Sequence, residues 1–125
     1  VMVEILTSRM RAAGNAREHR ISDLRFARRI RKFRPDRVQY VSDAQLAEIV
    51  RRSRQAARDL GIVDNLLVAR FVMVDAILAP NFHEAEDLKR HFAQASGTPD
   101  VKISDVFQLL KVTLYKHGRG DEVWW

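Results

Sequence analysis

The stretch that decides the fold is NLLVARFVMVDAILA, residues 65–79, which lies between Asp64 and Pro80. Its apolar side chains fall on every face of a helix, and a helix that is apolar all round is normally buried inside a bundle. Asp64 can cap the first turn of this helix, and Pro80 cannot continue it. The sequence therefore predicts a central apolar helix around which the rest of the chain packs.

The segments before this stretch carry the start and stop signals of further helices. Ser22 can cap a helix that ends before Pro35, and a shorter helix is predicted over residues 3–13. Ser42 and Gln45 have the spacing of a capping box. The helix that they open can end at a glycine, residue 61, with the next apolar residue closing a Schellman-type turn.

The segments after it read in the same way. A helix is predicted over about residues 83–95, and Thr98 and Pro99 can begin a last helix that Gly118 ends, with Val101 on its inward side. Strand signals are nearly absent. At 125 residues, the chain is expected to form a compact, all-α single domain of five or six helices.

Residues 1–118 form the predicted helical domain, and residues 119–125 form a C-terminal tail without periodicity.

The net charge is concentrated in the N-terminal third. Residues 1–37 hold 11 Lys or Arg and 4 Asp or Glu, a net charge of +7, whereas residues 38–125 hold 11 and 12, a net charge of −1. This asymmetry predicts an anionic partner, but by itself it does not distinguish nucleic acid, a membrane surface and an acidic protein.

The composition also limits the compartment and the chemistry. The chain has no Cys, so disulfides and thiolate ligands are excluded and a reducing cytoplasm is compatible. The apolar start, residues 1–6, is too short for a signal-peptide core. The most hydrophobic stretch, residues 62–80, carries three charged residues that would be costly inside a bilayer. We therefore expect a cytoplasmic protein that does not bind a membrane.

The predicted helix after Ser22 carries the main candidate interface. We call its polar side the basic face, which consists of Arg25, Arg28, Arg29 and Lys32. Guanidinium groups form charge-assisted bonds to carboxylates and phosphates, although a solvated face that only aids solubility is the alternative. Nucleic acid is the less favoured partner, because no helix-turn-helix pattern stands out. No aromatic residues are interleaved as stacking platforms either, and core packing explains Phe26 and Phe33.

The chain ends in two tryptophans, Trp124 and Trp125. Tryptophan is enriched at the energetic centres of protein interfaces, so both residues are candidate contacts with a partner. The alternative is that they fold back and pack on their own domain.

Two other groups of polar residues are candidate sites. His83, Asp87 and His91 recur at intervals of four on the predicted helix 83–95, and these residue types are possible zinc or iron ligands. The two histidines would be about 12 Å apart along the helix axis, which is too far for one ion. Arg70 and Asp75 interrupt the apolar helix, and each is expected to meet a partner from another helix. We therefore predict no metal, no cofactor and no enzymatic activity.

A series of core and cap motifs spans residues 33–82. The motifs are Phe33-Arg34-Pro35, Ser42-Asp43 with Leu46, Ala56-Ala57-Arg58-Asp59-Leu60-Gly61-Ile62, Ala69-Arg70-Phe71-Val72 and Pro80-Asn81-Phe82. In order and spacing, this series resembles small helical accessory proteins encoded beside effector genes of bacterial type VI secretion clusters. The resemblance implies an adaptor or co-chaperone that helps to load a toxic effector, or an immunity protein, and it carries over no catalytic residue.

The sequence thus predicts a non-catalytic helical adaptor that binds another protein, such as a secreted effector with an acidic surface. The expected contacts are the basic face with Trp124 and Trp125. The alternatives are an immunity protein that neutralises a toxin, a nucleic-acid-binding module that uses the same face, and an enzyme with a site around Asp75 or the two histidines of residues 83–91.

Overall fold

The structure is a computed structural model that describes residues 22–123 and residue 125. This part of the chain contains five α-helices and no strand, which confirms the predicted all-α class. The helices are α1 (residues 22–33), α2 (Asp43–Asp59), α3 (Asn65–Met73), α4 (Glu86–Gln94) and α5 (Pro99–Lys116). The helix predicted over residues 3–13 lies outside the described residues.

Contacts divide the chain into two units, residues 1–51 and residues 52–125. In the described part of the first unit, the apolar side of α1 buries Ala27 and Ile30, whereas Phe33 is 63% exposed. Core packing therefore does not explain Phe33, contrary to the expectation from its helical spacing. The helix ends there because Pro35 follows within two residues and begins a short 3-10 helix, Pro35–Arg37.

The turn between α1 and α2 is closed by side chains. Arg31 Nε lies 2.7 Å from Asp43 Oδ1, and the same guanidinium donates to the carbonyl oxygens of Val38 and Val41. The predicted capping box begins α2: Ser42 N donates to Gln45 Oε1 at 2.9 Å, and Gln45 N donates to Ser42 Oγ at 3.1 Å. Two backbone donors that the start of a helix leaves free are thereby satisfied.

In the second unit, local cap chemistry again determines the helix ends. Gly61 has a φ of +88° and follows α2, and Ile62 N donates to Ala57 O at 3.1 Å, which completes the predicted Schellman turn. Asp64 caps α3 by accepting from Leu67 N at 3.0 Å. The hydroxyl of Thr98 caps α5 in the same way, by accepting from the Val101 amide at 3.3 Å.

The apolar stretch 65–79 is not one continuous α-helix. It continues beyond Met73 as a π-helical turn, Val74–Leu78, closed by a bond from Ala79 N to Val74 O at 2.8 Å. Leu66 is 61% exposed, whereas Phe71 is fully buried. Exposure is confined to the start of the stretch, because residues 67–79 include no exposed side chain and Val68, Val72 and Val74 are buried with Phe71. Its place at the centre of a bundle stays a prediction.

The core of the second unit draws on α2, α3, α5 and the C-terminal residue. Its buried members are Ala57, Ile62, Val68, Phe71, Val74, Ile103, Phe107, Leu114 and Trp125. Val101, predicted to point inward, is 51% exposed and lies outside this set. Between α3 and α4, Asn81 adopts a left-handed conformation with a φ of +61° and is followed by a 3-10 helix, Phe82–Glu84.

Candidate functional site

The basic face lies on the exposed side of α1, in the first unit. Its four cations follow the spacing i, i+3, i+4, i+7, so one helix side presents them over about 10 Å of its length. All four side chains are exposed, as predicted. The buried side of the same helix, with Ala27 and Ile30 fully inaccessible, determines this orientation.

The structure separates the cations of this region into two groups. Arg31 pairs with Asp43, while Arg34 and Arg37 both approach Asp36, at 3.1 and 3.8 Å. The cations of the basic face, in contrast, form no hydrogen bond or ion pair with another described residue. The structural role of Arg31 was not predicted from the sequence, because its partner lies 12 residues away in the next helix.

In two of the arginine–carboxylate pairs, the interaction shifts the pKa of one partner. Hydrogen bonding from the Arg34 guanidinium lowers the pKa of the Asp36 carboxyl below its ordinary value, and the charges of Arg34 and Arg37 act in the same direction. On α2, the hydrogen bond to Glu48 raises the pKa of Arg51, and the Glu48 charge adds to the effect. Among the described cations of residues 25–37, those of the basic face are therefore the ones without a carboxylate partner on another described residue.

Trp125 occupies the core of the second unit and is 8% exposed. Its indole Nε1 donates to Glu122 O at 2.9 Å, and its ring centroid lies 5.7 Å from that of Phe107. Lys111 Nζ lies 5.3 Å from the ring centroid. Of the two alternatives for this residue, the structure therefore gives packing on its own unit. Trp124 lies outside the described residues, and a role for it in binding stays a prediction.

The structure does not place His83, Asp87 and His91 on one helix, which corrects the predicted helix 83–95. Ala85 has an extended backbone, with φ −62° and ψ 139°, so α4 begins only at Glu86 and His83 belongs to the preceding 3-10 helix. No group of three or more metal-ligating side chains occurs among the residues that the structure describes.

His83 lies instead beside Asp75, with its Nε2 atom 3.8 Å from Asp75 Oδ2. Asp75 is 8% exposed as a residue, and its carboxylate accepts a hydrogen bond from Asn81 N at 2.6 Å. The imidazole also contacts Phe71, with ring centroids 5.3 Å apart. Asp75 therefore closes the turn after the π-helical segment. Its partners are Asn81 in that turn and His83 in the short 3-10 helix that follows it, and neither belongs to another α-helix of the chain.

A second surface feature lies entirely within the second unit. It is an open groove of about 440 Å³ along α4 and α5, which we call the α4–α5 groove. Its apolar lining includes Phe82, Leu88, Val106, Leu109 and Leu110, and its polar lining consists of Asp87, His91, Asp105 and Thr113. The groove was not predicted from the sequence. Its one signal there is the apolar residue Leu109, which is 69% exposed in the structure and gives α5 a second apolar side.

None of the helices in the described ranges 22–123 and 125 combines the length and apolarity needed to cross a membrane. The chain matches no protein-family model, and no curated protein and no solved structure shows significant similarity to it.

Proposed function

We propose that this chain is a non-catalytic helical adaptor that binds an acidic surface of another protein through the basic face. The observation that carries the proposal is the division of cations around α1. Three arginines near its C-terminal end pair with carboxylates of the chain itself, while the four on the exposed side have no such partner among the described residues.

The arrangement of the basic face is unfavourable for the isolated helix. Like charges three or four residues apart destabilise a helix by about 0.2–0.5 kcal/mol per pair, and the four cations form four such pairs. A carboxylate-rich partner would relieve this repulsion and accept the forked hydrogen bonds of the arginines. Exposed charges also accelerate association by steering, which suits an adaptor that binds and releases its partner.

The resemblance of residues 33–82 to accessory proteins of type VI secretion clusters adds a partner class, a secreted effector with an acidic surface. In this role the chain would help to load the effector. Co-expression with an effector from a neighbouring gene separates loading from neutralisation. A loading adaptor leaves the effector toxic inside the cell and is required for its secretion, whereas an immunity protein restores growth.

Replacing all four residues of the basic face with Gln tests the surface itself. The matched control carries the same substitution at four exposed cations elsewhere: Arg52, Lys89, Arg90 and Lys116. Both variants lose four positive charges, so a change seen only in the first belongs to the basic face and not to net charge. Each exposed substitution should change stability by at most about 0.5 kcal/mol.

The partner for this test is obtained by affinity capture from the native cell with and without nuclease, and its binding is then measured with purified components. An acidic protein should associate more slowly with the basic-face variant than with the control. Equal rates and affinities for both variants would refute the proposal. If nuclease removes the partner and the wild type loses affinity with a log–log salt slope near −4, the basic face binds nucleic acid instead, because four phosphate contacts give about that slope.

A further inference from the structure

The side chains that line the α4–α5 groove indicate which kind of ligand fits it, which the volume of the groove alone does not. Apolar side chains form most of its lining, and the ionisable groups that line it are Asp87, Asp105 and His91. No Lys or Arg belongs to the lining. Such a surface favours a ligand with an apolar side and a positive charge, and it disfavours an acidic one.

The side chains of Asp87 and Asp105 are both exposed at the groove. Asp105 is exposed and forms no hydrogen bond or ion pair with another residue that the structure describes. Asp87 is 96% exposed and forms an ion pair with Arg90, whose Nη1 atom lies 3.7 Å from Asp87 Oδ1. Because this pair is exposed and longer than a hydrogen bond, it is weak, and the carboxylate can also bind a cation of a ligand. Each lies close in sequence to an apolar lining residue, Asp87 next to Leu88 and Asp105 one turn before Leu109.

The groove is elongated along α5. Its lining runs from Asp105 to Thr113, which corresponds to about 12 Å or two turns of helix. Leu109 is 69% exposed at the groove, and Val112, which lies outside the lining, is 53% exposed on the adjacent surface of α5. Large apolar side chains therefore continue beyond the groove, as expected where a second helix lies along α5 and not where a small ligand is enclosed.

We propose that the α4–α5 groove binds an amphipathic helix of another protein, which places its apolar side on Leu109 and Leu110 and a Lys or Arg near Asp87 and Asp105. This site is separate in chemistry from the basic face, because it selects a cationic partner segment and not an acidic one. Helix-in-groove recognition of this kind uses apolar anchors at i, i+3 or i+4 and i+7.

Three synthetic fluorescent peptides test the proposal. They share one Leu face at i, i+3, i+4 and i+7 and differ only in two flanking positions, which are Lys, Gln or Glu. Fluorescence anisotropy with the full chain should give the tightest binding for the Lys peptide. Because exposed charge pairs are weak, the expected gain over the Gln peptide is about fivefold. Equal affinity for the Lys and Glu peptides would overturn the proposal.

Substitutions locate the binding. Leu109→Gln removes an exposed anchor and should weaken the Lys peptide about tenfold, whereas Val101→Gln, at an exposed position of α5 outside the groove, should leave its affinity unchanged. The double variant Asp87→Lys, Asp105→Lys should reverse the preference, so that the Glu peptide binds more tightly than the Lys peptide.

In the double variant the Glu peptide gains affinity. This result does not depend on whether the Leu109→Gln variant folds. Unchanged preference in the double variant would overturn the proposal. Analytical ultracentrifugation of the chain alone tests whether the groove binds a second copy of the chain. Self-association that Leu109→Gln abolishes would assign the groove to a second copy of the chain and overturn the proposal of a helix from another protein.

Discussion

Phe71→Ala should destabilise the second unit strongly, because Phe71 joins α3 to the turn that follows it. Its side chain is fully buried, and its ring centroid lies 4.8 Å from that of Phe82 and 5.3 Å from that of His83. Truncating a buried Phe to Ala typically costs about 3–5 kcal/mol, of which the aromatic contacts supply about 0.5–1.5 kcal/mol.

This free energy corresponds to a large fall in melting temperature. An unfolding entropy of about 2.1 cal/mol/K per residue gives about 0.26 kcal/mol/K for 125 residues. The expected decrease in Tm is therefore about 11–19 °C, measured by far-ultraviolet circular dichroism. Leu66→Ala is the matched control, because Leu66 lies on the same helix but is 61% exposed. Equal melting of the two variants, or a decrease below about 4 °C for Phe71→Ala, would refute the assignment of Phe71 to the core.

Two further predictions concern backbone conformation and charge. Gly61→Ala should cost about 1–2 kcal/mol in urea denaturation, because φ is +88° and the added Cβ would lie 3.0 Å from Pro99 Cγ. Gly118→Ala, with a φ of +71° and open space around it, should cost less. The Asp36 carboxyl should titrate by NMR below its ordinary pKa of about 3.9, and Arg34→Gln should raise that pKa. Because the folded pKa is depressed, the pair stabilises the fold above the ordinary pKa, and this contribution disappears as the pH falls through the folded value.

The helix ends that depend on neighbouring residues could be predicted from the sequence. The bonds between Ser42 and Gln45, the left-handed Gly61 and the cap at Asp64 all involve residues within a few positions of each other. Cap chemistry of this kind is local, so a single sequence contains it. The exposed side of α1 followed from the same periodicity that places Ala27 and Ile30 in the core.

The errors arose where tertiary contacts override periodicity. The polar residues from His83 to His91 recur at the spacing of a helix. The buried Asp75, however, accepts a hydrogen bond from Asn81 N at 2.6 Å, and the chain makes a turn before α4. Likewise, nothing near Arg31 in the sequence indicates that it pairs with Asp43. The α4–α5 groove depends on two helices lying side by side, which the periodicity of either helix alone cannot show.

The first turn of α5 has a consequence for how the second unit forms. The Asp100 carboxylate accepts hydrogen bonds from Val63 N at 2.8 Å and Asp64 N at 3.1 Å, across separations of 37 and 36 residues. Closing a loop of this length has an entropic cost that local helices do not incur. During synthesis, the turn between α2 and α3 cannot acquire these bonds until Asp100 has left the ribosome. The second unit therefore completes its structure late, after α3 and α4 have both been made.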